Sequence, residues 1–216
     1  MDRRDRIKSP VSINGRKLTL PKGKKIILWV IVNLEVWDTE LPQPRNILPP
    51  PMEISMLPDL PNWCWHEYGM RVGFWRILET LKKRKICSTL ALNATVCDHY
   101  PEAVNAAMIE RWEPMGHGYI QKPMHKVENE FVDIKSAINK IEDFTKNKVI
   151  GWESPGLTET HNTLDILSEN GIKYTANWPI DDQPQDLNVK SGKRMLTLPC
   201  PVEINDVVIT SVQDHQ

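Results

Sequence analysis

Acidic, amide and imidazole side chains follow the apolar segments of this 216-residue chain, at the points where predicted strands end. In parallel α/β proteins the carboxyl ends of the strands open into loops, and the chemistry gathers there. An acid directly after a buried strand is costly to place without a role, although a helix or loop cap is the alternative for each one. In chain order these residues are Glu35, Trp37, Asp38, Asn93, His117, Glu153, Asp181 and Asp182.

Glycines on both sides of His117 let the backbone approach a ligand closely and leave the imidazole open to a cleft. A carboxylate that takes a proton from water and an imidazole that stabilises or protonates the leaving group suffice to hydrolyse an amide-type bond. We therefore predict Glu35 or Asp38 as the general base, His117 as the acid or oxyanion stabiliser, and Asp182 as a residue that orients a partner. A satisfied structural histidine is the alternative for His117. Four other histidines are expected to be structural or exposed: His66, His99, His161 and His215.

A catalytic metal would need two or three protein ligands in convergent geometry. The residue four positions after His117 is Gln121, whose amide is a poor ligand for a zinc-like ion, and the next histidine is His125. We predict no cofactor, with a divalent metal such as zinc on Asp38 and His117 as the alternative. The cysteines form no CxxC pair and no glycine-rich phosphate loop occurs, so the sequence favours neither structural zinc nor nucleotide binding.

Strand and helix signals alternate along the chain, which indicates parallel strands joined by right-handed crossovers. The fold class predicted is therefore α/β, either an open doubly wound sheet or a (β/α) barrel. Seven prolines between residues 41 and 61 predict a long ordered loop or lid. Strands are predicted at 26–34, 86–93, 148–152 and 172–178 and helices at 72–81, 100–111, 127–144 and 160–170, while the segments 195–198 and 206–212 lack intervening helices.

The charge is balanced, with 27 Lys+Arg against 28 Asp+Glu. It offers no electrostatic reason to expect nucleic acid or an anionic membrane as a partner. The basic stretches at 2–6 and 22–25 are short, and we predict that they are solvated ends. No apolar run approaches the roughly 20 residues that span a bilayer, and no secretory signal is recognisable, so a cytoplasmic location is expected.

Six ordered motifs resemble the polysaccharide-deacetylase (NodB-homology) superfamily, and within it the allantoinase-like branch. The likeness runs from about residue 24 to residue 205 and implies a distorted (β/α) barrel over 24–216, after an N-terminal extension at 1–23. The motifs are Val32–Asp38, Trp65–Gly73, Ala91–Ala94, Met115–Tyr119, Gly151–Thr160 and Asp181–Pro184.

The resemblance implies hydrolysis of carbon–nitrogen bonds other than peptide bonds, in an N-acetyl sugar or a ureide ring such as that of allantoin. Glu35 and Asp38 fall on the motif that supplies a base and a metal ligand, and His117 on the first histidine of a His-x-x-x-His pair. Gln121 stands in place of the second histidine, which favours the branch thought to work without metal. Arg71 is predicted to clamp a substrate or carboxylate, with a surface or helix-capping role as the alternative. The other predicted substrate contacts are Trp37, Asn93, Trp152, Glu153 and Pro155.

The family's last motif, a strand ending in His-Pro, is expected some tens of residues beyond Asp206. The sequence therefore predicts a barrel that lacks its last units, and an open sheet edge that oligomerisation could close. One alternative to an enzyme is a catalytically silent barrel that binds a small ligand or serves as an assembly subunit. Another is a carbohydrate-binding surface that uses some of the eight tryptophans.

Overall fold

The computed structural model describes residues 2–8, 18–41 and 57–213, without the side chains of 210–213. Most of the predicted proline-rich loop, residues 42–56, therefore lies outside the described residues. The chain forms two compact units. One comprises Leu28–Lys122 and Val132–Val149, and the other comprises Met1–Ile27, Pro123–Phe131 and Ile150–Gln216. We call the first the dyad unit, because it contains the Glu35–His117 pair, and the second the terminal unit.

The dyad unit contains three parallel strands: β1 (Ile31–Leu34), β2 (Thr89–Leu92) and β3 (Glu113–Gly116). β2 pairs with both neighbours, and the register aligns the last residues of all three strands, Leu34 with Leu92 and Leu92 with Gly116. β2 is buried along its whole length, as its apolar sequence predicts. The residue after each strand therefore begins a loop at one common edge of this sheet.

Helices follow these strands. The first begins at Leu60 after Asp59, whose carboxylate accepts the N–H of Asn62, and it continues through a π-helical turn at Gly69–Gly73. Pro101 opens the fourth helix, as predicted, because its missing N–H is not needed in the first turn. In order they are α1 (Leu60–Tyr68), α2 (Phe74–Lys83), α3 (Val96–His99), α4 (Pro101–Ile109) and α5 (Glu130–Thr145).

The terminal unit contains four short strands: β4 (Gly151–Trp152), β5 (Tyr174–Thr175), β6 (Gln185–Leu187) and β7 (Met195–Thr197). β5 pairs in parallel with β4 and β7, and β6 pairs antiparallel with β7. α6 (Thr163–Glu169) is followed by Gly171 at φ 89°, the left-handed conformation that glycine adopts at helix ends. The last helix is α7 (Asp206–Gln213). Parallel strands alternating with helices confirm the predicted α/β class.

Two predictions about the elements were wrong. The strand predicted at 26–34 pairs only from Ile31, and Ile26, Ile27 and Leu28 expose 82%, 62% and 74% of their surfaces. An apolar run of this kind forms strand only where a neighbour supplies ladder hydrogen bonds, and β2 begins opposite Ile31. The segments 195–198 and 206–212 were predicted to follow one another without an intervening helix, but 206–212 is itself part of the helix α7. Among the described residues, no helix is both long and apolar enough to cross a membrane.

The N-terminal basic stretch is also not fully solvated, contrary to prediction. Arg6 is 2% exposed, and its guanidinium meets the carboxylate of Asp165 in α6 through two hydrogen bonds of 2.7 and 2.6 Å. The next residue, Ile7, forms an antiparallel bridge with Leu187 in β6. A guanidinium tolerates burial when a carboxylate matches its fork in this way.

Candidate functional site

The aligned strand ends of the dyad unit bring together three predicted site residues, Glu35, Asn93 and His117, which directly follow β1, β2 and β3. Asn93 is fully buried and connects the loops on either side of it. The side-chain oxygen Oδ1 of Asn93 accepts the N–H of Val36 at 2.9 Å. Its amide donates to the carbonyl of His117 and, at 3.0 Å, to the side-chain oxygen of Gln121. These bonds use both N–H groups of Asn93, so it positions the loops that carry Glu35 and His117.

Glu35 and His117 form a dyad. The Nε2 of His117 lies 3.2 Å from Oε1 of Glu35, and the indole N–H of Trp37 donates to Oε2 at 3.0 Å. The His117 residue is only 1% exposed, whereas the Glu35 side chain is 26% exposed. Both oxygens of Glu35 are thus held in place while the carboxylate remains reachable from outside.

A cavity of about 300 Å³ adjoins this dyad within the dyad unit. Glu35, Trp37 and Asp38 line it on one side, and side chains of α1 line it on the other. Asp38 is exposed, and its Oδ1 accepts the N–H of Glu40 at 2.9 Å. The volume lies at the lower end of the range for small-molecule sites. Two carboxylates on the wall of a concave space are an arrangement suited to acid–base chemistry.

Two residues of α1 on this wall were missed by the sequence prediction, His66 and Glu67. The imidazole of His66 stacks on the Trp37 indole, with centroids 5.1 Å apart and ring planes 25° apart. Burial lowers the pKa of His66, and the negative charge of Glu35 opposes that shift. Glu67 accepts the hydroxyl hydrogen bond of Tyr100, whose pKa is raised by burial and by this bond. Their position inside the Trp65–Gly73 motif was the signal in the sequence that could have found them.

Arg71, a predicted substrate clamp, lies elsewhere in the dyad unit. It is exposed and lines a second cavity of about 320 Å³, together with Trp75 and Glu102. Met70 and Tyr100 line both cavities. The structure therefore places Arg71 beside the Glu35 cavity and not on its wall.

The remaining predicted site residues lie in the terminal unit. Trp152 is fully buried, and its indole N–H donates to the hydroxyl of Ser154 at 3.0 Å. Pro155 and Glu153 are also buried, whereas Asp182 is exposed. Their roles toward a substrate stay predictions.

Another acid of the terminal unit, Glu159, was not predicted. It accepts hydrogen bonds from the amide of Asn177 at 2.7 Å and the indole of Trp178 at 2.9 Å. Burial raises the pKa of Glu159, and these two hydrogen bonds oppose the shift.

The dyad does not offer the ligand set of a catalytic zinc ion. Across the described residues, no group of three or more His, Cys, Asp and Glu side chains could hold a metal ion. The Gln121 oxygen is engaged by Asn93, and Nε2 of His117 is engaged by Glu35. The expectation that the protein works without a metal stays a prediction.

Comparisons with known proteins point to one family. The polysaccharide deacetylase model matches residues 65–175, just over half of the chain. The PuuE allantoinase structure is 27% identical with a TM-score of 0.66, over 72% of this chain and 52% of that one. A probable polysaccharide deacetylase from Pseudomonas aeruginosa PAO1 is 28% identical with a TM-score of 0.63, over 69% of this chain and 51% of that one. The chain thus spans about half the length of these structures, and no curated protein matches it. The chain belongs to the polysaccharide deacetylase family.

Proposed function

We propose that this protein hydrolyses a carbon–nitrogen bond other than a peptide bond in a small amide, either an N-acetyl sugar or a ureide ring. The observation that carries the proposal is the Glu35–His117 dyad at the aligned strand ends, with Glu35 on the wall of a cavity. The family's deacetylases and the similarity to PuuE allantoinase support the same reaction class. The cavity of about 300 Å³ favours a substrate with one ring over a polymer chain.

Glu35 is the proposed general base because it is the member of the dyad that lines the cavity. It takes a proton from water while the water oxygen bonds to the carbonyl carbon of the substrate. The C–N bond then breaks as the departing nitrogen receives that proton, which leaves a carboxylic acid and an amine. Trp37 holds the carboxylate in one orientation throughout.

His117 acts through Glu35 in this proposal. It is almost fully buried and lies behind the carboxylate, so its hydrogen bond orients Glu35 and stabilises the charge that Glu35 carries before it takes the proton. Asp38, also on the cavity wall, is placed to orient the attacking water. The contacts of Trp152, Glu153, Pro155 and Asp182 with a substrate remain part of the proposal and await a test by mutation.

The proposal is tested by assaying the natural protein on allantoin and on N-acetylglucosamine, with and without a chelator. Glu35→Gln keeps the shape of the side chain and one oxygen that can accept the Trp37 N–H, but it removes the base, so turnover should fall by about 100-fold or more. Glu40→Gln is the matched control, since Glu40 is an exposed acid on the same loop. Full activity of the Glu35→Gln variant would overturn the assignment.

The same experiment addresses the alternative of a catalytically silent binder. In that case neither substrate is turned over, yet one of them raises the melting temperature by binding the folded state. The increase would be lost in a variant that fills the cavity, such as Met70→Trp. Turnover of either substrate would exclude the silent binder.

A further inference from the structure

We propose that Nε2 of His66 is a hydrogen-bonding position for the ligand in the cavity that contains Glu35. The inference deepens the proposed function and takes from it the chemical class of the ligand, an amide or ureide. His66 lies in α1 and lines the same cavity as Glu35, Trp37 and Asp38.

The first observation is an unsatisfied polar atom. Nε2 of His66 is buried and has no hydrogen-bond partner among the described residues. Buried nitrogen atoms in native proteins nearly always have a partner, and leaving one without it costs free energy. A ring on the wall of a cavity can gain that partner from a bound molecule.

The second observation is the support of the ring. The imidazole stacks on Trp37, and the indole N–H of Trp37 donates to Glu35. A half-turn about the Cβ–Cγ bond keeps the imidazole in its plane, so the ring can exchange the positions of Nε2 and Cε1 without disturbing the stack. His66 and Glu35 are thus coupled through one shared neighbour.

The third observation concerns charge. Burial lowers the pKa of His66 against the opposing charge of Glu35, which favours the neutral form of the ring. A neutral imidazole has one N–H donor and one acceptor nitrogen. An amide or ureide offers both a carbonyl acceptor and, in most cases, an N–H donor, so it can pair with Nε2 in either tautomer.

Two substitutions separate hydrogen bonding from packing. His66→Phe retains a ring to stack on Trp37 but removes both nitrogens, and His66→Gln places an amide near the position of Nε2. His125→Phe is the matched control, because His125 is an exposed histidine that does not line this cavity. We expect kcat/KM to fall by about 10-fold or more in His66→Phe, to recover partly in His66→Gln, and to stay within about twofold in His125→Phe.

A second measurement does not depend on turnover. In ¹⁵N-labelled protein, the imidazole signals absent from His66→Phe belong to His66, and the remaining signals report that the variant is folded. Titration with hydantoin or N-acetylglucosamine should shift the ¹⁵Nε2 signal of His66, while the signals of His125, which does not line the cavity, move little.

The outcomes distinguish this inference from the proposed function. A shift of the His66 signal without turnover of either substrate supports the inference and counts against the proposed function. Turnover that is unchanged in folded His66→Phe, with no shift of ¹⁵Nε2 at saturating ligand, overturns the inference and leaves the proposed function standing.

Discussion

Replacing Arg6 with methionine should destabilise the terminal unit, because it leaves the carboxylate of Asp165 buried without its guanidinium. The two side chains are 3% and 7% exposed and meet in a bidentate pair at 2.7 and 2.6 Å. Arg6 also donates to the backbone carbonyls of His161 and Asn188, at 3.0 and 3.2 Å. Methionine keeps most of the aliphatic packing and removes all four hydrogen bonds.

Breaking a buried ion pair by removing one partner costs about 3–5 kcal/mol. Asp165 keeps one hydrogen bond, from the backbone N–H of Lys190 at 2.8 Å, and the Lys190 ammonium lies 3.4 Å away. We therefore expect the free energy of unfolding to fall by about 3 kcal/mol, the lower end of that range. Arg4→Met, an exposed change in the same turn, should cost less than about 0.5 kcal/mol.

The Arg6–Asp165 pair also predicts that the free energy of unfolding depends on pH. The hydrogen bond from Arg6 lowers the pKa of Asp165 from its ordinary value of 3.8 to about 2. Such a difference contributes about 2 kcal/mol of stability, which is complete above about pH 4 and is lost as the pH falls toward 2. Without Arg6 the pKa of Asp165 rises, so this part of the acid sensitivity should disappear.

Urea unfolding of the wild type, Arg6→Met and Arg4→Met at pH 7, 5, 4 and 3 measures both quantities. An unfolding free energy of Arg6→Met within about 0.5 kcal/mol of the wild type would show that the pair does not stabilise the fold. A parallel loss of stability in the wild type and Arg6→Met between pH 5 and pH 3 would contradict the predicted role of Asp165 in the pH dependence.

Further predictions concern the dyad unit and the thiols. Asn93→Ala removes three side-chain hydrogen bonds, one buried and two partly buried, and should lower the free energy of unfolding measured in urea by about 3 kcal/mol. A loss below about 1 kcal/mol would show that the loops are held by other contacts. Burial raises the pKa of Cys97 and of Cys200 to about 11, whereas Cys64 and Cys87 are exposed. Iodoacetamide at pH 8 should therefore label Cys64 and Cys87 first, which mass spectrometry of the peptides measures. Rapid labelling of Cys97 would contradict its burial.

The strand-end residues were predictable because their signal is local. An apolar segment of a few residues followed by Glu35 or Asn93 is visible in a short window of sequence, and the two glycines that flank His117 are visible in the same way. In the structure the strand register brings these three residues to one edge of the sheet, because parallel strands end at a common edge. The α/β class and most helices followed in the same way from hydrophobic periodicity.

Contacts between distant parts of the chain were not predictable in this way. Arg6 and Asp165 are 159 positions apart, and a window around either residue shows only a charged side chain that is expected to be solvated. His66 and Trp37 are also separated by a long connection, so the sequence offered no reason to place that imidazole on the cavity wall. The division of roles between Glu35 and His117 likewise depends on which of them lines the cavity.

By itself, then, the sequence determined the order of most strands and helices, the candidate residues at the strand ends and the family resemblance, because propensity, periodicity and motifs are properties of neighbouring residues. The tertiary structure decided where strands begin, that 206–213 is a helix, and which polar groups are buried together. These outcomes depend on burial and pairing between distant segments, whose free energies arise only when the chain packs.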